Sequence, residues 1–303
     1  MVFPKDDVEN DYEIKNEYKK YLTDYILSDE IEDAKKNIII FSETYGLEYY
    51  RKFKHIQKAV WFLSIGGYRA FYDDSFSFYK KIKRILRITK HRVFSFFDLD
   101  FYVKNDKTVN LAASYYAFDY LKKHKGEPKL FIEPISMEFI QYFNKMNFMI
   151  DTSVDRKNIV LYNPVKGDNT IMATKLQSLF PEYEFVPLKG YSHQEMKNLM
   201  ISSKLYIDFG TFPGAERIPK EAAICGMCIL TSRNGAADYH GDVPIPDNYK
   251  FGNYLNETDQ IKKAIIHIMN NYESAVNDFE EYRKTVYNLE NNFLNQISEI
   301  FKK

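Results

Sequence analysis

The groups best suited to chemistry on an anion lie in residues 204 to 239, KLYIDFGTFPGAERIPKEAAICGMCILTSRNGAADY. An apolar run from Leu205 to Ile207 stops at Asp208 and a Gly/Pro-rich turn, and a helix-forming segment then carries Glu216, Arg217, Lys220 and Glu221. A second apolar run, Met227 to Leu230, leads through Thr231 to Asn234 into Gly235-Ala236-Ala237. Two successive strand-to-helix loops therefore offer free backbone N–H groups at helix starts, where anions bind. Arg217 adds a planar fork of donors matched to phosphate, and Glu221 adds a carboxylate matched to sugar hydroxyls. Together they describe a pocket for a phosphate-bearing, hydroxyl-rich ligand, a nucleotide sugar.

These residues need a frame, and 303 residues suffice for one large or two medium domains with a substantial core. Lys and Arg number 42 and Asp and Glu 42, so the net charge is zero, which argues against a general nucleic-acid binder. The balance is uneven along the chain. The first 34 residues lean acidic, whereas KKIKRILRITKHR, residues 80 to 92, holds seven Lys and Arg. No apolar run approaches the roughly 18 to 20 residues that span a bilayer, and MVFPKDDVEN lacks a signal-peptide core, so a cytoplasmic protein is expected. Cys225 and Cys228 form a lone CxxC with no second ligand pair, which reads as two packed thiols rather than a zinc site.

Along the chain, residues 11 to 36 carry apolar positions at helical spacing, Tyr18, Tyr21, Ile26 and Ile31 among them, and predict a leading helix or helix pair. Asn37 to Phe41 predicts a buried strand that delivers Glu43 to its C-terminal edge, where open α/β sheets place ligand contacts. Glu43 is then either a site carboxylate or an ordinary charge at a helix start. Lys58 to Ser64 predicts the next strand, closing on Gly66-Gly67. Phe71 to Arg92 predicts a basic amphipathic helix with Lys80, Lys81, Lys83, Arg84 and Arg87 on one face, either solvated or laid on an anionic membrane. Val93 to Phe97 leads to Asp98-Leu99-Asp100, a pair of carboxylates able to hold a divalent cation in the manner of metal-dependent GT-A enzymes.

Val109 to Ala113 predicts a short strand or the start of a helix, Ser114 caps a helix to His124, Leu130 to Ile132 is a strand, and Ser136 to Phe148 a helix. DTSVDRK, residues 151 to 157, is the linker, after which the alternation restarts. Ile159 to Tyr162 ends in Asn163-Pro164-Val165-Lys166-Gly167-Asp168 and a helix to Leu179. Lys166 there is a phosphate contact or a surface lysine in a turn. Glu184 to Pro187 is a strand with Lys189-Gly190-Tyr191 as its loop, and Ser192 with Glu195 forms a capping box on the next helix, which makes His193 a surface residue. Beyond the opening stretch, residues 241 to 251 are irregular, and two helices run from Glu257 to the end. Strands and helices alternating in two halves predict two doubly wound α/β domains.

Four blocks of the second half resemble bacterial GT-B glycosyltransferases that build capsule, O-antigen and related surface polysaccharides: Tyr162 to Gly167, Tyr206 to Gly210 with Pro213-Gly214, Arg217 to Ala223, and Ile245 to Phe251. The resemblance implies a Rossmann-like acceptor domain at 1–155, a Rossmann-like donor domain at 156–280, a cleft between them, and a C-terminal helix, 281–303, packed back on the first domain. It implies transfer of a sugar from a nucleotide-sugar donor, a UDP-hexose such as UDP-galactofuranose, to a glycan or polyprenyl-linked acceptor, without metal or other cofactor. Retaining relatives carry two glutamates eight positions apart; Glu221 matches the second, which contacts the ribose, and Pro213 stands at the first. Glu216 or Asp208 would compensate. By the same resemblance Lys166 and Arg217 bind the diphosphate, Asn163 and Gly190 line the donor site, and Gly214, Gly235 and Ala236 admit close backbone approach. Glu43, then Asp98, is the expected base for the acceptor hydroxyl. The basic helix would dock at the inner face of the plasma membrane. A catalytically silent sugar-nucleotide-binding scaffold subunit is the alternative, as is the GT-A enzyme on Asp98 and Asp100.

Overall fold

In the computed structural model, the structure describes residues 2–3, 26–27, 30–43, 47–65, 107–145, 150 and 155–301. Asp98, Asp100, the Gly66-Gly67 loop and the basic segment with Lys80, Lys81, Lys83, Arg84 and Arg87 lie outside them. Among the described residues, two parallel sheets form the frame. The first runs β3 (Ile38–Ser42), β4 (Gln57–Phe62), β5 (Thr108–Ala112), β6 (Pro128–Leu130), in that spatial order. The second contains β7 (Lys157–Tyr162), β8 (Glu184–Pro187), β9 (Ser203–Asp208), β10 (Cys228–Ser232) and β11 (Lys250–Phe251), ordered β11-β10-β9-β7-β8. A two-residue pair, β1 (Val2–Phe3) with β2 (Ile26–Leu27), stands apart.

Near-continuous apolar strands are what a parallel sheet covered on both faces requires. Cys228 to Ser232 and Leu205 to Asp208 are buried at every position. Helices cross between strands: α1 (Leu47–Lys52), α2 (Tyr115–Lys123), α3 (Met137–Lys145), α4 (Gly167–Leu179), α5 (His193–Ser202) and α6 (Arg217–Ile224). The expected caps hold. Ser114 accepts from Ala117 N at 3.0 Å, and Ser192 with Glu195 closes a capping box.

The C-terminal segment departs from two helices. It comprises α7 (Thr258–Asn270), α8 (Tyr272–Ala275), α9 (Glu280–Tyr287) and α10 (Leu289–Ile300). The breaks let the chain turn and return to the first sheet. There Phe293 lies 4.5 Å from the Phe131 ring and 6.4 Å from Trp61, and Gln296 accepts from Ile132 N at 3.0 Å. Helical spacing also misleads between Ile31 and Lys36, which form a loop rather than helix. The Asp33 carboxylate accepts the backbone N–H groups of Lys54, His55 and Ile56 at 2.8 Å each, and these bonds bind the loop to the start of β4. They hold the Asp33 carboxyl down at about 2. The strand expected at Leu130 to Ile132 begins earlier, at Pro128, and β11 adds an edge strand inside the passage expected to be irregular.

Among the described residues no helix is long and apolar enough to cross a membrane. Cys225 and Cys228 are buried free thiols, and burial pushes both pKa values up.

Candidate donor-binding site

The second sheet reverses its winding direction between β7 and β9: β7 leads outward to β8, whereas β9, β10 and β11 extend the other way. Loops leaving two such strands diverge to opposite faces and open a crevice at their C-terminal ends, the place where doubly wound sheets bind ligands. Here the crevice lies between Asn163–Lys166 after β7 and Phe209–Glu216 after β9. The structure thus brings Asn163, Lys166, Asp208, Glu216, Arg217 and Glu221 to one sheet edge.

Lys166 is the N-cap residue of α4 and Arg217 the first residue of α6, and neither helix start has a side-chain cap. Cations are disfavoured at the positive end of a helix by up to about 1 kcal/mol each. Two such placements side by side concentrate positive potential where an anion would be held by N–H groups, an ammonium and a guanidinium. Pro219 sits in the first turn of α6, where its missing N–H is tolerated.

Lys166 is fixed in place. Its Nζ lies 2.9 Å from Asp208 Oδ2, 3.6 Å from Glu216 Oε1 and 4.0 Å from the centre of the Phe212 ring. Its stem crosses Gly210 so closely that a Cβ there would collide with Lys166 Cδ. Asp208 is fully buried with both oxygens engaged. Oδ1 accepts from Asn169 Nδ2 at 2.9 Å and Gly210 N at 3.1 Å, while Oδ2 accepts from Tyr206 OH at 3.1 Å in addition to Lys166. Asn169 completes the web by accepting from Phe209 N and Gly210 N and donating to Asn163 O. Sequence reasoning missed Asn169, Phe212 and Tyr206. The only available signal was an asparagine on the buried side of a first helical turn.

Glu221 is nearly inaccessible, 2% exposed in its side chain, and is reached by Arg217 Nε at 3.1 Å from one turn earlier. Its other oxygen, Oε2, has no hydrogen-bond partner among the described residues. Burial is the larger influence and Arg217 the smaller, so the carboxyl is pushed up to about 7. Arg217 keeps 52% of its side chain exposed and can reach a ligand. Glu216 retains 24% exposure, and burial again raises its pKa against the pull of Lys166.

Most of the remaining expected residues are engaged by the protein's own backbone. Gly214 is bare because the Leu63 carbonyl backs onto it and would overlap a Cβ, and Ile65 N donates to Pro213 O at 3.0 Å. Gly235 has φ +73, and a Cβ there would collide with Phe212 O; Ala236 spends its N–H on that same carbonyl. The close backbone approach expected of a ligand is made by the protein itself. Gly190, φ +83, lies in the exposed loop after β8 with open space around it. Asn163 accepts from Val165 N and shapes its own turn.

Glu43 does sit at the C-terminal end of β3, but its carboxylate is buried and accepts from Leu63 N at 3.1 Å and Ser64 N at 2.9 Å. It therefore shapes the loop that docks on Pro213 and Gly214. A second junction was not foreseen: Asp242, from the loop beyond β10, accepts from Tyr115 N and Tyr116 N at the start of α2, at 2.8 and 2.9 Å. Its cost is desolvation, which lifts the carboxyl to about 6.

No known family profile matches the chain, and no curated protein matches its sequence. Solved structures do. TarM of S. aureus superposes with a TM-score of 0.58 at 15% identity, over 94% of this chain and 57% of TarM. The sucrose-phosphate synthase of Thermosynechococcus elongatus gives 0.56 at 14%, over 88% of this chain and 73% of that one. WaaG, a glycosyltransferase involved in lipopolysaccharide biosynthesis, gives 0.53 at 13%, over 95% and 81%. The chain has the GT-B fold, two Rossmann-like domains with the C-terminal helix returned to the first.

Proposed function

We propose that this protein is a glycosyltransferase that moves a sugar from a nucleoside-diphosphate sugar, UDP-linked, to a glycan or lipid-linked acceptor. The observation that carries the reading is the pair of cations, Lys166 and Arg217, at two uncapped helix starts on either side of one switch point. Departure of a nucleoside diphosphate builds negative charge, and fixed positive groups stabilise it without a metal ion. The buried, unpartnered Oε2 of Glu221 is an acceptor in search of a hydroxyl, which a ribose supplies. A mutant of S. aureus TarM, of like fold at a TM-score of 0.56, was solved with UDP and α-GlcNAc-glycerol, which supports UDP as the first nucleotide to try.

Surface-polysaccharide assembly at the inner face of the plasma membrane belongs to the same proposal. It rests on the sequence blocks, on the fold shared with WaaG and on the basic segment 80–92. Unchanged binding to anionic vesicles after charge reversal of Lys80, Lys81, Lys83 and Arg84 would remove the membrane part.

One observation favours a second reading, a sugar-nucleotide-binding subunit that performs no transfer: Glu43, the first candidate base, has its carboxylate committed to backbone N–H groups. A thermal-shift screen of nucleotide sugars, followed by donor hydrolysis, separates the two. Binding with hydrolysis supports the transferase, binding without hydrolysis supports the subunit, and no stabilisation by any nucleotide sugar overturns both.

A further inference from the structure

Away from the donor crevice, the outer edge of the second sheet carries a groove of its own. β11 is the last strand on that side, two strands from β9, and the groove runs between it and α7. It is an open cavity of about 550 Å³, within the range of small-molecule sites, about 300–1,000 Å³. Arg233, Lys250, Lys263 and His267 line it with nitrogen groups, Asp247 and Glu257 with carboxylates. Both carboxylates are engaged: Asp247 Oδ1 accepts from Arg233 at 2.9 Å, and Glu257 Oε2 accepts from Asn253 N at 2.7 Å. Arg233 is in turn held between Asp247 and Asp238, each at 2.9 Å.

Lys250 is the group that the fold does not satisfy. It is only 5% exposed, yet among the described residues its ammonium has no hydrogen bond and no carboxylate within ion-pair reach. Burial lowers its pKa, with Asp238 opposing and Arg233 reinforcing the shift from longer range. A buried ammonium is ordinarily paired, because stripping water from a charge is costly. Lys263 and His267, one turn apart on the exposed face of α7, are likewise unengaged among the described residues. Three nitrogen groups on two facing walls therefore lack an acceptor that the chain itself could supply. We propose that the groove between β11 and α7 is a second anion site, taking the phosphate group of a small molecule on Lys250 with Lys263 and His267 as further donors. A phosphate presents several acceptor oxygens and a compact negative charge, which matches clustered donors in a concave site. A flat macromolecular surface fits less well, because the lysine is almost wholly buried in the groove. The phosphate can belong to a soluble compound or to a lipid headgroup. The site lies apart from Lys166 and Arg217, which follow β7 and β9, and does not depend on the donor reading.

The test is calorimetry with inorganic pyrophosphate on the full chain carrying Lys166→Ala, which removes the ammonium of the donor crevice. That protein should still bind pyrophosphate, and adding Lys250→Met should weaken the binding about tenfold to a hundredfold, the loss expected for a hydrogen-bonded charge. Methionine keeps the length of the side chain and removes the buried charge, so the thermal midpoint should stay level or rise. The pair Lys263→Gln and His267→Asn, on an exposed helix face where folding is not at stake, should weaken binding about tenfold and serves as the check if Lys250→Met does not fold. No pyrophosphate binding by the Lys166→Ala protein, or binding that neither Lys250→Met nor the helix pair weakens, overturns the site. Vesicles of phosphatidylcholine containing phosphatidic acid separate the two sources. Vesicle binding that falls with Lys250→Met assigns the phosphate to a lipid headgroup, and vesicle binding that does not assigns it to a soluble compound.

Discussion

Lys166 Nζ lies 2.9 Å from Oδ2 of Asp208, and Asp208 is fully buried, so the lysine is held from beneath while its stem lies across Gly210. A flexible ammonium has thereby become a fixed one. Asp208→Asn should break that arrangement, because an amide cannot accept from Lys166 and Tyr206 on one atom and from Asn169 and Gly210 on the other. We expect UDP affinity to fall about tenfold or more, with stability lower by about 1–3 kcal/mol. Chemical unfolding and calorimetry measure both, and wild-type affinity in the variant would show that the pin is dispensable.

Arg217 is half exposed, and its side-chain partner among the described residues is Glu221, so its removal should leave the fold intact. Arg217→Ala is expected to change stability by about 0.5 kcal/mol or less and to abolish donor hydrolysis or transfer. Near-normal turnover would contradict a diphosphate role for this side chain.

Glu221 supplies a pH signature. Its carboxyl titrates at about 7 in the folded protein against 4.5 unfolded, so the folded state binds the proton more tightly. Its contribution to stability is full below about pH 4.5 and is lost as pH rises through about 7. Glu221→Gln should therefore flatten the stability profile across that window and unfold later than wild type at pH 8, by on the order of 3 kcal/mol. The same variant should bind UDP about ten to a hundred times more weakly if a ribose hydroxyl donates to Glu221. Stability gained with affinity lost would mark a residue kept for its ligand. A profile that still slopes as in the wild type would show that another group titrates there.

Glu43 connects the end of β3 to the loop that follows β9. Its carboxylate holds Leu63 N and Ser64 N, and the next residue, Ile65, donates to Pro213 O. Glu43→Ala should lower the thermal midpoint by several degrees and weaken donor binding and turnover together. A loss confined to kcat, with the acidic limb of the pH profile removed and stability unchanged, would instead make it the base.

The fold was legible where periodicity and burial agree. The strands of KAVWFLS, IVLY and EFVP, with the caps at Ser114 and Ser192, could be read from residue type alone; NIIIF is a strand as expected, but not a buried one, since it lies at the sheet's edge with Ile38 and Ile40 exposed. The same reading failed at Ile31 to Lys36. There a helical spacing was overruled by Asp33, whose three N–H partners lie about twenty residues away.

For the candidate site, the sequence by itself determined which groups are available: Lys166, Glu216, Arg217 and Glu221 all follow strand ends. Only the tertiary structure decided which of them meet. Adjacency of β7 and β9 puts two helix starts beside one crevice, and adjacency in a sheet is set by strand order, which no local pattern encodes. Long-range contacts decided the rest: Leu63 fills the space above Gly214, Asp242 accepts from the first N–H groups of α2, and the web around Asp208 holds Lys166 in place. These are pairings between residues far apart in the chain, fixed by which backbone groups must be satisfied once the two domains meet.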